Sequence, residues 1–184
     1  MSAYLRVTRR FLPALFSFLS LTATATDVEP VQAPDFVLPA IQNATGNIDF
    51  TTYEGKVVYV DFWASWCGPC RLSLPAIDKI YQEFNPLGFE VIAVSVDVVA
   101  EDSLDFLKRY SVAYPVVIDS GGDVARAYAV NGMPSGYLID QTGLIRSVHI
   151  GFSKGDEMPL RSEVLALLQQ LAQTPEGAST STKP

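Results

Sequence analysis

Residues 55–71 read GKVVYVDFWASWCGPCR, and this stretch decides the fold. Lys56 to Trp63 is a nearly continuous apolar run, the pattern of a strand buried on both faces. From about Cys67 to Phe84 the pattern turns helical, with Leu72, Ala76 and Ile80 on one stripe and Ile77, Tyr81 and Phe84 beside it. Pro75 falls inside this helix and is expected to kink it, because its ring removes a backbone donor and crowds the preceding turn. Phe89 to Val96, FEVIAVSV, reads as a second buried strand. Strand, helix and strand within about 40 residues make a parallel βαβ unit with a right-handed crossover.

Two cysteines stand at the junction of the first strand and the helix. Cys67 and Cys70 are the only cysteines in 184 residues, and His149 is the only histidine. That count excludes a zinc site of four Cys/His ligands and a scaffold of several disulfides. Cys67 is placed at a helix N-terminus, where backbone N–H groups and the helix dipole favour an anion and lower a thiol pKa. The two-residue spacing brings Cys70 within reach one turn later. Pro69 costs no hydrogen bond in a first turn, where its donor would be an orphan. The chemistry predicted is thiol–disulfide exchange: Cys67 attacks a partner disulfide, then Cys70 attacks Cys67 and releases the reduced partner. A purely structural bridge across so short a loop would stabilise little.

Outward from this unit the chain divides into four parts. Residues 1–25 carry Arg6, Arg9 and Arg10, then an apolar run from Phe11 to Leu21 and the small-residue pattern Thr22-Ala23-Thr24-Ala25. This is the plan of a secretory signal peptide cleaved after Ala25, with an uncleaved membrane anchor as the alternative. Residues 26–34 read as a polar linker, 35–173 as one domain, and 174–184 as a disordered tail. Acidic residues number 20 against 13 basic, a net charge of −7 that becomes −10 without residues 1–25. Such a balance argues against nucleic acid or an anionic membrane surface as partner. No later run is long and apolar enough to span a bilayer, so the mature domain is expected to be soluble.

Within the domain, Phe36–Leu38 and Asn47–Phe50 read as short strands joined by a turn around Asn43–Gly46. Glu101–Tyr110 and Val124–Tyr128 read as short helices, and Pro115–Ile118 as a short strand. Tyr137–Ile139 and Leu144–Ile150 form a hairpin across Asp140–Gly143. A last helix opens near Pro159, with Leu160, Val164, Leu168 and Leu171 on one face. The class is α/β, with a parallel half and an antiparallel half in one mixed sheet.

The segment VDFWASWCGPCR, residues 60–71, closely resembles the active-site segment of thioredoxins. The wider chain resembles the secreted thioredoxin-like oxidoreductases of the TlpA/ResA type, which include the cytochrome c maturation reductants. DFVLP at 35–39, FEVIAVSVD at 89–97, FLKRY at 106–110, YPVVID at 114–119 and VNGMPSGYLIDQTGLI at 130–145 carry that likeness. It implies a thioredoxin fold: a central mixed β-sheet flanked by helices, with an N-terminal β-hairpin and a helical insert near 101–110. It implies a periplasmic thiol:disulfide oxidoreductase, without cofactor or metal, that reduces protein disulfides in cytochrome c maturation or copper-site assembly. Its partners would be disulfide-bearing proteins and a membrane electron donor of the DsbD type. Pro134 matches the family's cis-proline, which faces the cysteines and with Met133 helps hold an extended substrate backbone. Trp66, Gly68 and Pro69 would line the substrate surface.

Asp61 lies inside the apolar strand, where burial raises a carboxyl pKa towards neutrality. In thioredoxins the residue at this place is thought to take the proton from the second cysteine, so Asp61 is expected to act as base for Cys70. One departure is Ser73, which stands where several TlpA/ResA proteins carry Glu. The Gly-Pro pair between the cysteines resembles reducing thioredoxins rather than oxidising DsbA-type proteins. His149, on a strand with Ile145 and Ser147, reads as part of a solvated face. Two other readings stay open at this stage. A copper metallochaperone would use the cysteine pair, with a different spacing in its own family. A thiol peroxidase on a related fold would carry T-x-x-C rather than WCGPC.

Overall fold

The computed structural model describes residues 31–173, and side chains up to residue 170. Residues 1–30, with the segment read as a signal peptide, and the tail from 174 lie outside the described residues. The elements run β1 (Val37–Gln42), β2 (Asn47–Asp49), β3 (Val57–Trp63), α1 (Cys70–Phe84), β4 (Phe89–Ser95) and α2 (Ala100–Leu107). There follow β5 (Val116–Ile118), α3 (Asp123–Ala127), β6 (Ser135–Ile139), β7 (Ile145–Ile150) and α4 (Glu157–Gln173). They build one mixed sheet of seven strands in the order β2-β1-β5-β4-β3-β6-β7. β3, β4 and β5 are parallel, while β6, β7, β1 and β2 join antiparallel, as expected for a thioredoxin-like sheet with an N-terminal hairpin.

β3 is central and buried along its whole length. Its alternation splits the core in two. Val57, Tyr59 and Trp63 face α1 and α4, together with Phe89, Val91 and Ala93 of β4. Val58, Val60 and Phe62 face the other side, against Phe36, Phe50, Tyr128, Tyr137 and Ile139. Period-two alternation on a strand covered by both layers explains why its sequence reads as unbroken apolar.

Four expectations need correction. α1 begins at Cys70, three residues later than its pattern suggested. Residues 64–69 turn by short bonds instead, Cys67 N–H to Ala64 O and Arg71 N–H to Gly68 O. With Cys70 fixed inward, the buried stripe of α1 is Cys70, Leu74, Ile77, Ile80 and Phe84. Leu72 lies about 200° around the helix from Cys70 and is 54% exposed. Residues 31–34, read as linker, run beside the β6–β7 turn: Ala33 N–H donates to Gly143 O, and Ala33 is buried. The face of β7 read as solvated is the covered one. Ser147 and His149 lie under α4, while Val148 and Ile150 are 45% and 72% exposed on the opposite side. The remaining short elements fall within a few residues of their expected places. Of the last helix, Leu160, Val164 and Leu168 are buried, and the Leu171 side chain lies beyond the described ones.

Candidate active site

β3 ends at Trp63, and the chain turns through Ala64–Pro69 before α1 starts. At that turn Cys67 and Cys70 are joined by a disulfide with their Cα atoms 5.4 Å apart. The Cys70 N–H donates to Cys67 Sγ at 3.3 Å. The sulfur therefore receives one of the amide donors that a helix start leaves without an intrahelical partner. Both cysteines are buried, but their neighbours Trp66, Gly68 and Pro69 are exposed, Trp66 at 68%. Trp63 is wholly buried and packs on Phe106, so it belongs to the core rather than to the surface. Ser73 is buried, with its hydroxyl donating to Cys70 O.

The Met133–Pro134 peptide bond is cis. Pro134 leads directly into β6, which pairs with β3 through Ser135↔Phe62. Met133 is half-buried and packs on the cluster that holds Cys67 and Cys70. The expected cis-proline thus stands beside the strand that carries the cysteine turn.

Asp61 faces the same cluster, because its neighbours on that side of β3, Tyr59 and Trp63, both pack in it with the two cysteines. It is 1% exposed, and its Oδ2 has no hydrogen-bond partner among the described residues. Burial pushes its pKa up from 3.8 to about 8. Burial also raises the phenols of Tyr59 and Tyr114 well above the usual tyrosine range, and the Asp61 charge adds to both.

A second buried carboxylate, Asp97, closes the run FEVIAVSVD at 89–97. Asp97 accepts from Ser65 N–H at 3.0 Å, from Ser65 Oγ at 3.0 Å and from Ser103 Oγ at 2.7 Å. Ser95 Oγ donates to it as well, at 3.1 Å. Asp97 thereby ties the residue two before Cys67 to the end of β4 and to α2. The available signal was an acidic residue closing an apolar strand, where a buried charge needs donors. His149 is held by Tyr59 Oη, 3.4 Å from Nδ1, and by Glu163, 3.2 Å from Nε2. A copper site of two cysteines and His149 would need that ring turned away from both. Among the described residues no group of three His, Cys, Asp or Glu side chains is placed to hold a metal ion.

The chain matches the family described as AhpC/TSA over residues 31–148. It belongs to that family. Members similar to it include thiol-disulfide oxidoreductases ResA. The one from Bacillus thuringiensis subsp. konkukian is 32% identical over 114 residues, 62% of this chain and 65% of the relative. The one from Halalkalibacterium halodurans is 36% identical over 120 residues, 65% of this chain and 67% of the relative. The chain thus spans about two thirds of the length of these curated relatives. Among solved structures, a thiol:disulfide interchange protein DsbE of Chlorobium tepidum, titled putative, is 39% identical. It matches with a TM-score of 0.72 over 76% of this chain and 96% of its own. A protein disulfide isomerase of Bacteroides thetaiotaomicron, also titled putative, matches with a TM-score of 0.68 at 28% identity, over 75% of this chain and 88% of its own. The thioredoxin-like fold, expected from the WCGPC segment, and the likeness to ResA-type proteins, expected from the wider chain, are confirmed.

Proposed function

We propose that this protein is a periplasmic thiol:disulfide oxidoreductase that reduces disulfides in protein substrates. The observation that carries the reading is the Cys67–Cys70 disulfide at the start of α1, with the Cys70 amide on Cys67 Sγ. The names of the ResA and DsbE relatives support it.

In the reduced protein, Cys67 is the nucleophile, its thiolate favoured by the Cys70 N–H and the helix start. It attacks one sulfur of a partner disulfide. That S–S bond breaks, a mixed disulfide forms, and the first partner thiolate leaves and takes a proton from water. Asp61, ionised for this step, takes the proton of the Cys70 thiol. The Cys70 thiolate attacks Cys67 Sγ, the mixed disulfide breaks, and the second partner thiolate leaves and also takes a proton from water. The partner disulfide gains two electrons and two protons, and the Cys67–Cys70 bond is restored. Pro134 and Met133 hold the substrate backbone on one side of the sulfurs, and Trp66, Gly68 and Pro69 form the rim on the other.

A signal peptide at residues 1–25 would deliver the domain to the periplasm, an oxidising compartment. There the dithiol must be renewed by a donor, and the resemblance points to a membrane protein of the DsbD type. The same resemblance directs the substrate to cysteine pairs of apocytochrome c or of copper-site proteins. No helix of the described residues is long and apolar enough to cross a membrane.

Cys70→Ser, produced in its own periplasm, tests the cycle. It is expected to accumulate mixed disulfides on Cys67 that dithiothreitol releases, and Cys67→Ser is expected to accumulate none. Peroxide consumption by the wild type without any protein-disulfide reduction would favour the peroxidase reading instead.

A further inference from the structure

Asp61 is sealed in the core, yet a base must release its proton before each new cycle. The register of the sheet shows where such a path can run. Asp61 on β3 pairs with Gly136 on β6, and Gly136 pairs with His149 on β7. Residues paired across a sheet point to the same face, so these three form one row beneath α1 and α4. The middle member has no side chain. Tyr59 fills that space: a Cβ built on Gly136 would lie 1.8 Å from Tyr59 Oη. Directly opposed Cβ atoms are about 4.5–5.5 Å apart, so the hydroxyl occupies the gap between Asp61 and His149. From there it reaches His149 Nδ1 at 3.4 Å, and His149 Nε2 lies 3.2 Å from Glu163 Oε2 on α4. Glu163 is 40% exposed, and Ser147 Oγ donates to it at 2.5 Å. A cavity of about 280 Å³ that opens to the surface is lined by Tyr59, His149, Gly151, Asp156 and Leu160.

We propose that Tyr59 and His149 form the proton path between Asp61 and solvent, with Glu163 at its outer end. This inference rests on the role given to Asp61 in the proposed function. Tyr59 and His149 are positioning residues: neither touches the reacting sulfurs. In the neutral arrangement Nε2–H of His149 donates to Glu163, so Nδ1 accepts from the Tyr59 hydroxyl. Asp61, whose Oδ2 has no partner in the resting arrangement, donates to the Tyr59 oxygen once its carboxyl turns towards the hydroxyl. Shifting each proton one place outward ionises Asp61, restores the tyrosine hydroxyl and the imidazole, and delivers one proton to Glu163 and water. No bond between heavy atoms changes. With Asp61 ionised, the Tyr59 hydroxyl turns to the carboxylate, whose Oδ2 otherwise has no donor.

The groups that face this row include Cys70 on α1, Tyr114 before β5, Asp156 on the cavity wall and Glu163 on α4. β4 offers Ala93 opposite Asp61. His149 is the one basic side chain that the described contacts bring to the row.

The test is a pH titration of the Asp61 carboxyl carbon by NMR in the oxidised protein, in wild type and Tyr59→Phe. A hydrogen bond to an ionised acceptor is stronger than one to its neutral form, so losing the hydroxyl is expected to raise the midpoint by about 0.5–1 unit. The second variant is His149→Ala, read as turnover in the reduction of a protein disulfide with dithiothreitol as electron source. Turnover is expected to fall about 10-fold and to recover within about twofold on addition of imidazole, which the enlarged cavity admits. An unmoved Asp61 midpoint in Tyr59→Phe, or a His149→Ala loss that is absent or not restored by imidazole, overturns the path. A wild type that reduces no disulfide would instead overturn the proposed function. The NMR titration, which needs no turnover, would still decide whether Tyr59 engages Asp61.

Discussion

Two carboxylates lie buried near the cysteine turn, and their surroundings differ. Asp97, at the end of β4, is met by donors from three serines and one backbone amide. Asp61, in the middle of β3, has an oxygen that no donor meets. Both are almost fully buried, at 3% and 1% exposure. The difference separates two uses of the same side chain. Donors make Asp97 a fastener between Ser65, α2 and the sheet. Burial makes the charge of Asp61 costly and raises its pKa to about 8, with no donor at Oδ2 to offset it, the condition for exchanging a proton near neutrality.

The contrast is broken most directly by Asp61→Asn. In the fold Asp61 keeps its proton up to about pH 8, whereas the unfolded chain loses it near the ordinary value of 3.8. Unfolding therefore releases a proton throughout that window, and the Asp61 contribution falls as pH rises. Removing the ionisable group should leave stability nearly unchanged at pH 4 and raise it by about 3–6 kcal/mol at pH 9. Urea denaturation at the two pH values checks this, and equal shifts at both would place Asp61 in a solvated setting.

Asp97→Asn should move in the opposite direction. Its amide sets donors against the donors of Ser65, Ser95 and Ser103, and a loss of about 3 kcal/mol follows from charge-assisted bonds left unmade. Denaturation of this variant sharpens the comparison, since a neutral or stabilising result would leave Asp97 no fastening role. Ser103→Ala removes one of the donors to Asp97 and should cost about 1 kcal/mol, visible as a lower midpoint in the same measurement.

Legibility in the sequence follows locality. WCGPC announced its chemistry because the parts, a helix start and a two-residue spacing, are adjacent in the chain. Pro134 was marked by VNGMP, and the structure places a cis bond there. Asp61 stood out as a charge inside an apolar strand. α1 offers two overlapping apolar stripes, and the buried one is Leu74, Ile77, Ile80 and Phe84 with Cys70, not the one through Leu72 and Ala76. The Leu72 side chain then points outward, where the hydrophobic count favoured the core. Asp97 joins Ser65 across 32 residues, and periodicity carries no information on such a pairing. The β7 face was inverted for a related reason. Val148 and Ile150 supply the apolar alternation, but α4 covers Ser147 and His149 through Glu163. Only the placement of a distant helix decides which side of an edge strand is covered.

The measurement closest to the central claim follows the second chemical step alone. A mixed disulfide between Cys67 and a thiol peptide is formed, and peptide release by Cys70 is timed across pH in wild type and Asp61→Asn. With Asp61 as the base for Cys70, release by the variant is expected to be about 100-fold slower near neutral pH and to lose the wild-type step near pH 8. Equal rates and the same pH profile in both proteins would contradict it.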